Sequence, residues 1–392
     1  MNIIEQKSIH LPIVFFMKSI HILITLFLFI CLNACRSDQK QIDEVVHKSS
    51  VKHAVGFDIE DHKQFKKLII TSPYPNANQA LEYFLIPKGR KIPEELNGTN
   101  IIRTPIERIV VTSTTHIPML EILNVEESLV GFPNLTYISS KKTRDRISKN
   151  KIMELGNEQS LNTEVLIDLQ PEIVIGFAMS SSNVYSNIEK AGIPVLLNGD
   201  WLEATPLGRA EWIKFFAVLF NKEQDGEFMF NEIENQYIEA MEIAKKANNK
   251  PSVLSGVLFK DVWNLPAGES FVAQFLKDAN TNYLWSDSKG KGSLSLSFET
   301  VFTKGQHADF WIAPGHYTSL EQLLNANEHY KKFDAFSSRN IYSFANKTGE
   351  NGGVLYYELA PTQPHVVLKD IIKITHPELL PDYKPFFLDR LN

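Results

Sequence analysis

The segment NTEVLIDLQPEIVIGFA, Asn162–Ala178, decides the fold. It predicts a helix from about Glu164 and a stop at Pro171, whose ring fixes φ and removes a donor. The strand EIVIGFA follows. Immediately downstream, NVYSNIEKAGIPVLLNG (Asn183–Gly199) repeats the plan, with a helix, Gly192 at its end and a strand over Ile193 to Leu197. Upstream, RIVVTS (Arg108–Ser113) reads as a buried strand, IPMLEILN as a helix that tolerates Pro118 in its first turn, and LVGF as another strand. Strands alternating with helices in this way require a parallel sheet covered by helices.

Working outward, the span from about Leu207 to Ala247 is helical, with Trp212, Phe215, Phe216, Leu219, Phe230, Ile233, Tyr237 and Met241 among its apolar positions. A break near NKEQDG could divide it. A second α/β series follows: SVLSGVLFK as strand, SFVAQFLKDA and SFETVFTKG as helices, ADFWIAPG as strand, LEQLLNA as helix, NIYSFA as strand, and a closing helical region from near Pro364. The expected fold class is therefore α/β, with two Rossmann-like lobes, residues 106–205 and 251–392, joined by a long rigid helix over 206–250. Between Val55 and Asn100 the runs KKLIITSPYP and ALEYFLIPKG read as strands bounded by Pro, Asn and Gly, giving residues 36–105 as a tether and a small β-rich extension.

The beginning of the chain has a different chemistry. The apolar run Ile22 to Leu32 is shorter than the roughly 20 residues that a membrane-spanning helix needs. Extension upstream would place Lys18 in mid-span, at about 2.5–3.5 kcal/mol. We read residues 1–35 as a signal peptide, with Met1 or Met17 as its start. LNAC, Leu32 to Cys35, resembles the lipobox of bacterial lipoproteins, in which the cysteine becomes the lipidated first residue. Cys31 would be removed, leaving no thiol for a disulfide, a metal or a nucleophile in the folded part. With 40 basic and 46 acidic residues spread without long blocks of one sign, no nucleic-acid footprint is visible.

Enzyme signatures are absent. The 11 histidines form no HExxH, and there is no GxSxG, GxxxxGK[ST] or helix-opening GxGxxG. The loops expected after the strands carry hydroxyls, amides, single aromatics and glycines: TSTTH (Thr112–His116), AMSSSN (Ala178–Asn183), NGDWLE (Asn198–Glu203), KDVWNLPAG (Lys260–Gly268), APGHYTS (Ala313–Ser319) and ANKTGENGG (Ala345–Gly353). Parallel sheets place ligands at such carboxyl ends. Thr114, Thr115, His116, Ser180, Trp201, Trp263 and Tyr317 are the candidate contacts for a polar, ring-rich small molecule.

The stretches RIVVTSTTHIPMLEILNVEESLVGF, LNTEVLIDLQPEIVIGFA, EKAGIPVLL, SFETVFTKGQHADFWIAPG and VLKDIIKITHPELLPDY together resemble class III substrate-binding proteins of ABC importers, over about Ile106 to Tyr383. The resemblance implies a ligand-binding lipoprotein without bond chemistry and without a resident cofactor or directly bound metal. Its cargo would be a ferric siderophore or similar chelate, with haem or a corrinoid such as cobalamin as alternatives. Its partner would be an inner-membrane ABC permease, and it would work as a monomer in the periplasm or cell envelope. Docking acids in the family fall on Glu299 and, in the first lobe, on Pro118, with Glu121 the nearest carboxylate. From other classes, an exported hydrolase or a lipoprotein that binds another protein through its extension stays open.

Overall fold

A computed structural model describes residues 45–47, 51–157, 160–179 and 185–392. The expected signal peptide, Cys35 and Ser180 lie outside the described residues.

The extension is a five-stranded sheet of β1 (Val45–His47), β2 (Phe57–His62), β3 (Lys66–Ile70), β4 (Leu81–Pro87) and β5 (Ile101–Thr104), antiparallel except for the parallel β4–β5 pair. Its Phe57, Leu68, Ile70, Tyr83, Leu85 and Ile102 are buried in one cluster with Ile109, Ile175 and Trp212 of the following lobe. The extension therefore shares a core with that lobe. Five consecutive amides fasten its entry: Glu211 accepts from Lys52, His53 and Ala54, and Glu203 from Val55 and Gly56.

The N-lobe sheet contains β6 (Ile109–Val111), β7 (Leu129–Phe132) and β8 (Met153–Glu154), then, beyond a short hairpin of β9 (Gly156–Asn157) and β10 (Ser160–Leu161), β11 (Ile173–Gly176) and β12 (Val195–Leu197). Its order is β12-β11-β6-β7-β8, all parallel. Strand β11 is buried along its length, which is why its sequence is a continuous apolar run. Gly176 is required there, because a Cβ would sit 2.8 Å from the Tyr185 ring. Helices α1 (His116–Ile122), α2 (Lys141–Ser148), α3 (Thr163–Asp168) and α4 (Ser186–Lys190) connect these strands. Asn162 caps α3 through the amide of Val165, fixing the start that the sequence predicts.

The connection comprises three helices, α5 (Pro206–Glu211), α6 (Ile213–Leu219) and α7 (Glu223–Ala244), with one of its breaks in the NKEQDG stretch where the sequence allows it. The break before α7 falls at Asn221, whose left-handed φ of 55° ends a helix as asparagine readily does. Helix α7 supplies Phe230 and Ile233 to the N-lobe core and Tyr237, Ala240 and Ala244 to the C-lobe core.

In the C-lobe, β13 (Ser252–Ser255) leads into a three-stranded antiparallel sheet of β14 (Val257–Phe259), β15 (Val262–Pro266) and β17 (Ser293–Leu296). The switch occurs at Gly256, where φ is 76° and a Cβ would lie 2.0 Å from the carbonyl of Asn264. The main sheet runs β16-β13-β18-β19-β20, from β16 (Asn282–Tyr283), β18 (Phe310–Ile312), β19 (Ile341–Ser343) and an antiparallel β20 (Asp389–Arg390). Helices α8 (Phe271–Asp278), α9 (Phe298–Gly305), α10 (Leu320–Ala326), α11 (Asp334–Ser337), α12 (Leu355–Leu359) and α13 (Pro364–Thr375) complete it. Asp370 accepts the amides of Phe386, Phe387 and Leu388 and the hydroxyl of Tyr383, tying the last residues to α13.

Candidate functional site

The loops beyond β6, β11 and β12 of one lobe and β13, β18 and β19 of the other are where a parallel sheet presents its ligand-binding chemistry. Tyr185 pins the second of these, its hydroxyl donating to the carbonyl of Phe177 at 2.9 Å and accepting that residue's amide at 3.0 Å. Phe177 lies 5.3 Å from the ring of Trp201, which is half-buried. Asp200 precedes Trp201, and its amide donates to Asn198 Oδ1 at 2.8 Å.

Asp200 joins several candidate residues into one cluster. The Thr115 hydroxyl hydrogen-bonds to its carboxylate, while burial pushes its pKa up against the pull of Arg209. Arg209 donates to the carbonyl of Trp201 at 2.9 Å, and its guanidinium lies 3.8 Å from the centre of the Phe271 ring in the other lobe. Burial lowers the pKa of Arg209, opposed by Asp200 and Tyr356. Asp200 Oδ2, Trp201 Nε1, Arg209 Nε and Asn198 Nδ2 are buried without a hydrogen-bond partner. Such unmatched donors and an acceptor are groups that could take up the polar atoms of a ligand.

The C-lobe contributes aromatic surface. Phe344 and Tyr356 stack at 4.5 Å and 11°, Tyr357 meets Phe344 edge-on at 5.4 Å, and Tyr357 is 58% exposed. Burial pushes the Tyr356 hydroxyl up to about 12, so it remains a neutral donor at neutral pH. Tyr317 is half-buried and stacks on exposed His316 at 4.7 Å. Thr114 is half-buried, and its carbonyl accepts the amide of Ile117 as α1 begins.

Two expected contacts belong to the core instead. Trp263 was expected on a loop, but KDVWNLPAG contains strand β15, and the indole is wholly buried, 5.3 Å from Trp311 and donating to the carbonyl of Ser255. His116 is 1% exposed and 5.4 Å from Phe216; burial lowers its pKa to about 3, holding it neutral. Both side chains are packed within the core of their lobe.

Of the two candidate docking acids, Glu299 is exposed in the first turn of α9, behind the Ser297 cap that receives the amide of Thr300. Its own amide and the Ser297 hydroxyl hold its carboxylate below the usual range. Glu121 is engaged within its lobe by the hydroxyls of Ser140 and Thr143. Sequence reasoning missed Arg209, Phe177, Tyr356 and Tyr357. The tandem tyrosines two residues beyond the glycine-rich ENGG were the available signal for the last two. Among the described residues, no group of three or more His, Cys, Asp or Glu could hold a bare metal ion, and no helix is long and apolar enough to cross a membrane.

Comparison with known proteins places this arrangement. The family model described as "Periplasmic binding protein" matches residues 109–348, more than half of the chain. A lipoprotein of Methanocaldococcus jannaschii, itself uncharacterised, is 24% identical over 347 residues, covering 82% of this chain and 81% of the relative. The structure of a possible iron-binding periplasmic solute-binding protein from Staphylococcus epidermidis superposes with a TM-score of 0.54 at 17% identity, covering 70% of this chain and 100% of the other. A periplasmic haem-binding protein from Pseudomonas aeruginosa gives 0.55 at 17% identity, covering 73% and 98%. The match across both lobes, with the fold that these two structures share, shows that the chain belongs to the periplasmic binding protein family, in its class III branch.

Proposed function

We propose that this chain is the substrate-binding lipoprotein of an ABC importer, which captures a ferric siderophore or similar metal chelate between its lobes and delivers it to a permease. The single observation that carries the reading is the junction itself: Arg209 and Asp200 with unmatched polar atoms, flanked by Trp201 on one lobe and the Phe344–Tyr356–Tyr357 cluster on the other. Aromatic faces with a few convergent polar groups suit a rigid, ring-rich chelate. A haem receptor is the second reading, favoured by the fold shared with the Pseudomonas haem-binding protein; a corrinoid offers a comparably flat surface.

Lipidation at Cys35 would keep the receptor at a membrane; metabolic labelling with palmitate, abolished by Cys35→Ala, is the expected result. The cargo is tested by native mass spectrometry of the protein from Arg36 onward with ferric siderophores, haem and cobalamin. Retention of one compound, reduced at least tenfold by Arg209→Ala or Tyr357→Ala, supports the reading. No retention across the set overturns the chelate assignment and shifts weight to a protein-binding or hydrolytic role.

A further inference from the structure

Helix α12 belongs to the C-lobe but reaches the other lobe. Glu358 Oε2 accepts the amide of Ser139 at 2.6 Å and its Oε1 that of Ser140 at 2.8 Å, across 219 and 218 residues of chain. Ser140 caps α2, so the carboxylate sits over the unpaired amides at the positive end of that helix. The Glu358 residue is 1% exposed. Around it the two chains are as close as packing allows: Ser139 Oγ donates to the carbonyl of Gly353 at 3.2 Å, and a Cβ on Gly349 or Gly353 would lie 2.7 Å from Ser139 or Tyr137 atoms.

The loop that carries α12 is tied to itself and to the C-lobe, where Lys347 pairs with Asp389 at 3.1 Å and Tyr356 stacks on Phe344. The amide of Gly349 donates to the carbonyl of Gly353 at 2.8 Å, that of Leu355 to Lys347 at 2.8 Å, and Thr348 bridges Val354. The contact is also opposed from within. Ser140 gives its amide to Glu358 and its hydroxyl to Glu121, and among the described residues neither carboxylate is in an ion pair. Burial, the largest influence, raises the pKa of Glu358; the amides of Ser139 and Ser140 pull it back down, and the neighbouring Glu121 adds a smaller push upward. Two carboxylates thus meet on one serine at the contact that joins the lobes, and their like charges oppose each other there.

We propose that Glu358 is a releasable latch, which holds α12 and its glycine-rich loop against the N-lobe and must let go for the lobes to separate. Its purpose, gating ligand exchange, rests on the receptor reading; the latch itself is tested without ligand, so the two can fail independently. In the full chain carrying Cys31→Ser and Cys35→Ser, spin labels at Lys149→Cys and Lys332→Cys, both exposed positions on opposite lobes, report the distance between lobes by pulsed dipolar spectroscopy. Glu358→Ala is expected to add a longer-distance population that the unaltered latch lacks. Glu121→Gln keeps the acceptor for Ser140 and Thr143 but removes the opposing charge, so hydrogen exchange at the Ser139 and Ser140 amides should slow at least threefold. An unchanged distance distribution in folded Glu358→Ala overturns the proposal. So does unchanged or faster exchange in Glu121→Gln, which decides the matter alone if Glu358→Ala does not fold.

Discussion

Trp263 stacks on Trp311 at 5.3 Å and 30°, and both rings are wholly buried. Tyr330 and Phe333 close the same cluster at 5.8 and 5.7 Å from Trp263. Removing so large a core ring leaves a cavity, so Trp263→Ala should cost about 3–5 kcal/mol of stability. Chemical denaturation measures this. Loss of ligand in that variant would report the unfolding of the C-lobe core; normal stability would contradict the burial of the ring.

The strap at residues 52–56 makes a second prediction. Glu211, fully buried, receives three backbone amides and also the ammonium of Lys214 at 2.9 Å. Glu211→Ala strands the three amides, while Lys214 keeps Glu227 at 2.8 Å, and removing one partner of such a buried pair costs about 3–5 kcal/mol. Limited proteolysis should then cut near residues 51–56 well before it cuts the lobes. A protected strap would show that the shared core of the extension, rather than Glu211, fastens it.

Acid should weaken the fold partly through His116. Its folded pKa, about 3, lies below the ordinary 6.5 because burial disfavours the charged ring. The stabilisation is present above pH 6.5 and is lost as pH falls towards 3, because only the unfolded chain takes up the proton over that window. The buried carboxylates Asp200, Glu203, Glu358 and Asp370, raised by burial, act with the opposite sign, so the comparison must be by difference. A non-titrating His116→Gln variant should show a shallower loss of stability between pH 6.5 and 4 than the parent chain. Parallel curves would place His116 in contact with water.

Glu299 offers a functional test that leaves the ligand alone. It stands exposed at the start of α9. If it meets a permease, Glu299→Lys should reduce delivery by about tenfold or more, with retention of the bound chelate unchanged. Equal delivery by the variant in reconstituted vesicles would remove it from the docking surface.

Much of the fold was legible because its signals are local. The run IVIG, Ile173–Gly176, is apolar throughout since β11 is covered on both faces, and Asn162, Ser270 and Ser297 announce their helices by capping them. Strand β15 was overlooked although Val262, Trp263, Asn264 and Leu265 alternate between exposed and buried, because Gly256 moves the chain to a new sheet without interrupting the apolar pattern. The candidate site was less legible for a different reason. Arg209 comes from α5 and Tyr356 from α12, and only tertiary packing brings them together. The amides of Lys52 to Gly56 carry no side-chain signature, so a strap built from them is invisible to any reading of residue types.

Helix α7 gives its first half to one core and its second half to the other. Neither lobe therefore owns a complete hydrophobic surface. Split after Lys222, the chain would leave the N-lobe without Phe230 and Ile233; split after Ala247, the C-lobe would lose Tyr237 and Ala240. The two halves are thus expected to denature in a single transition and to be inseparable as recombinant fragments, a molecule with two lobes but one folding unit.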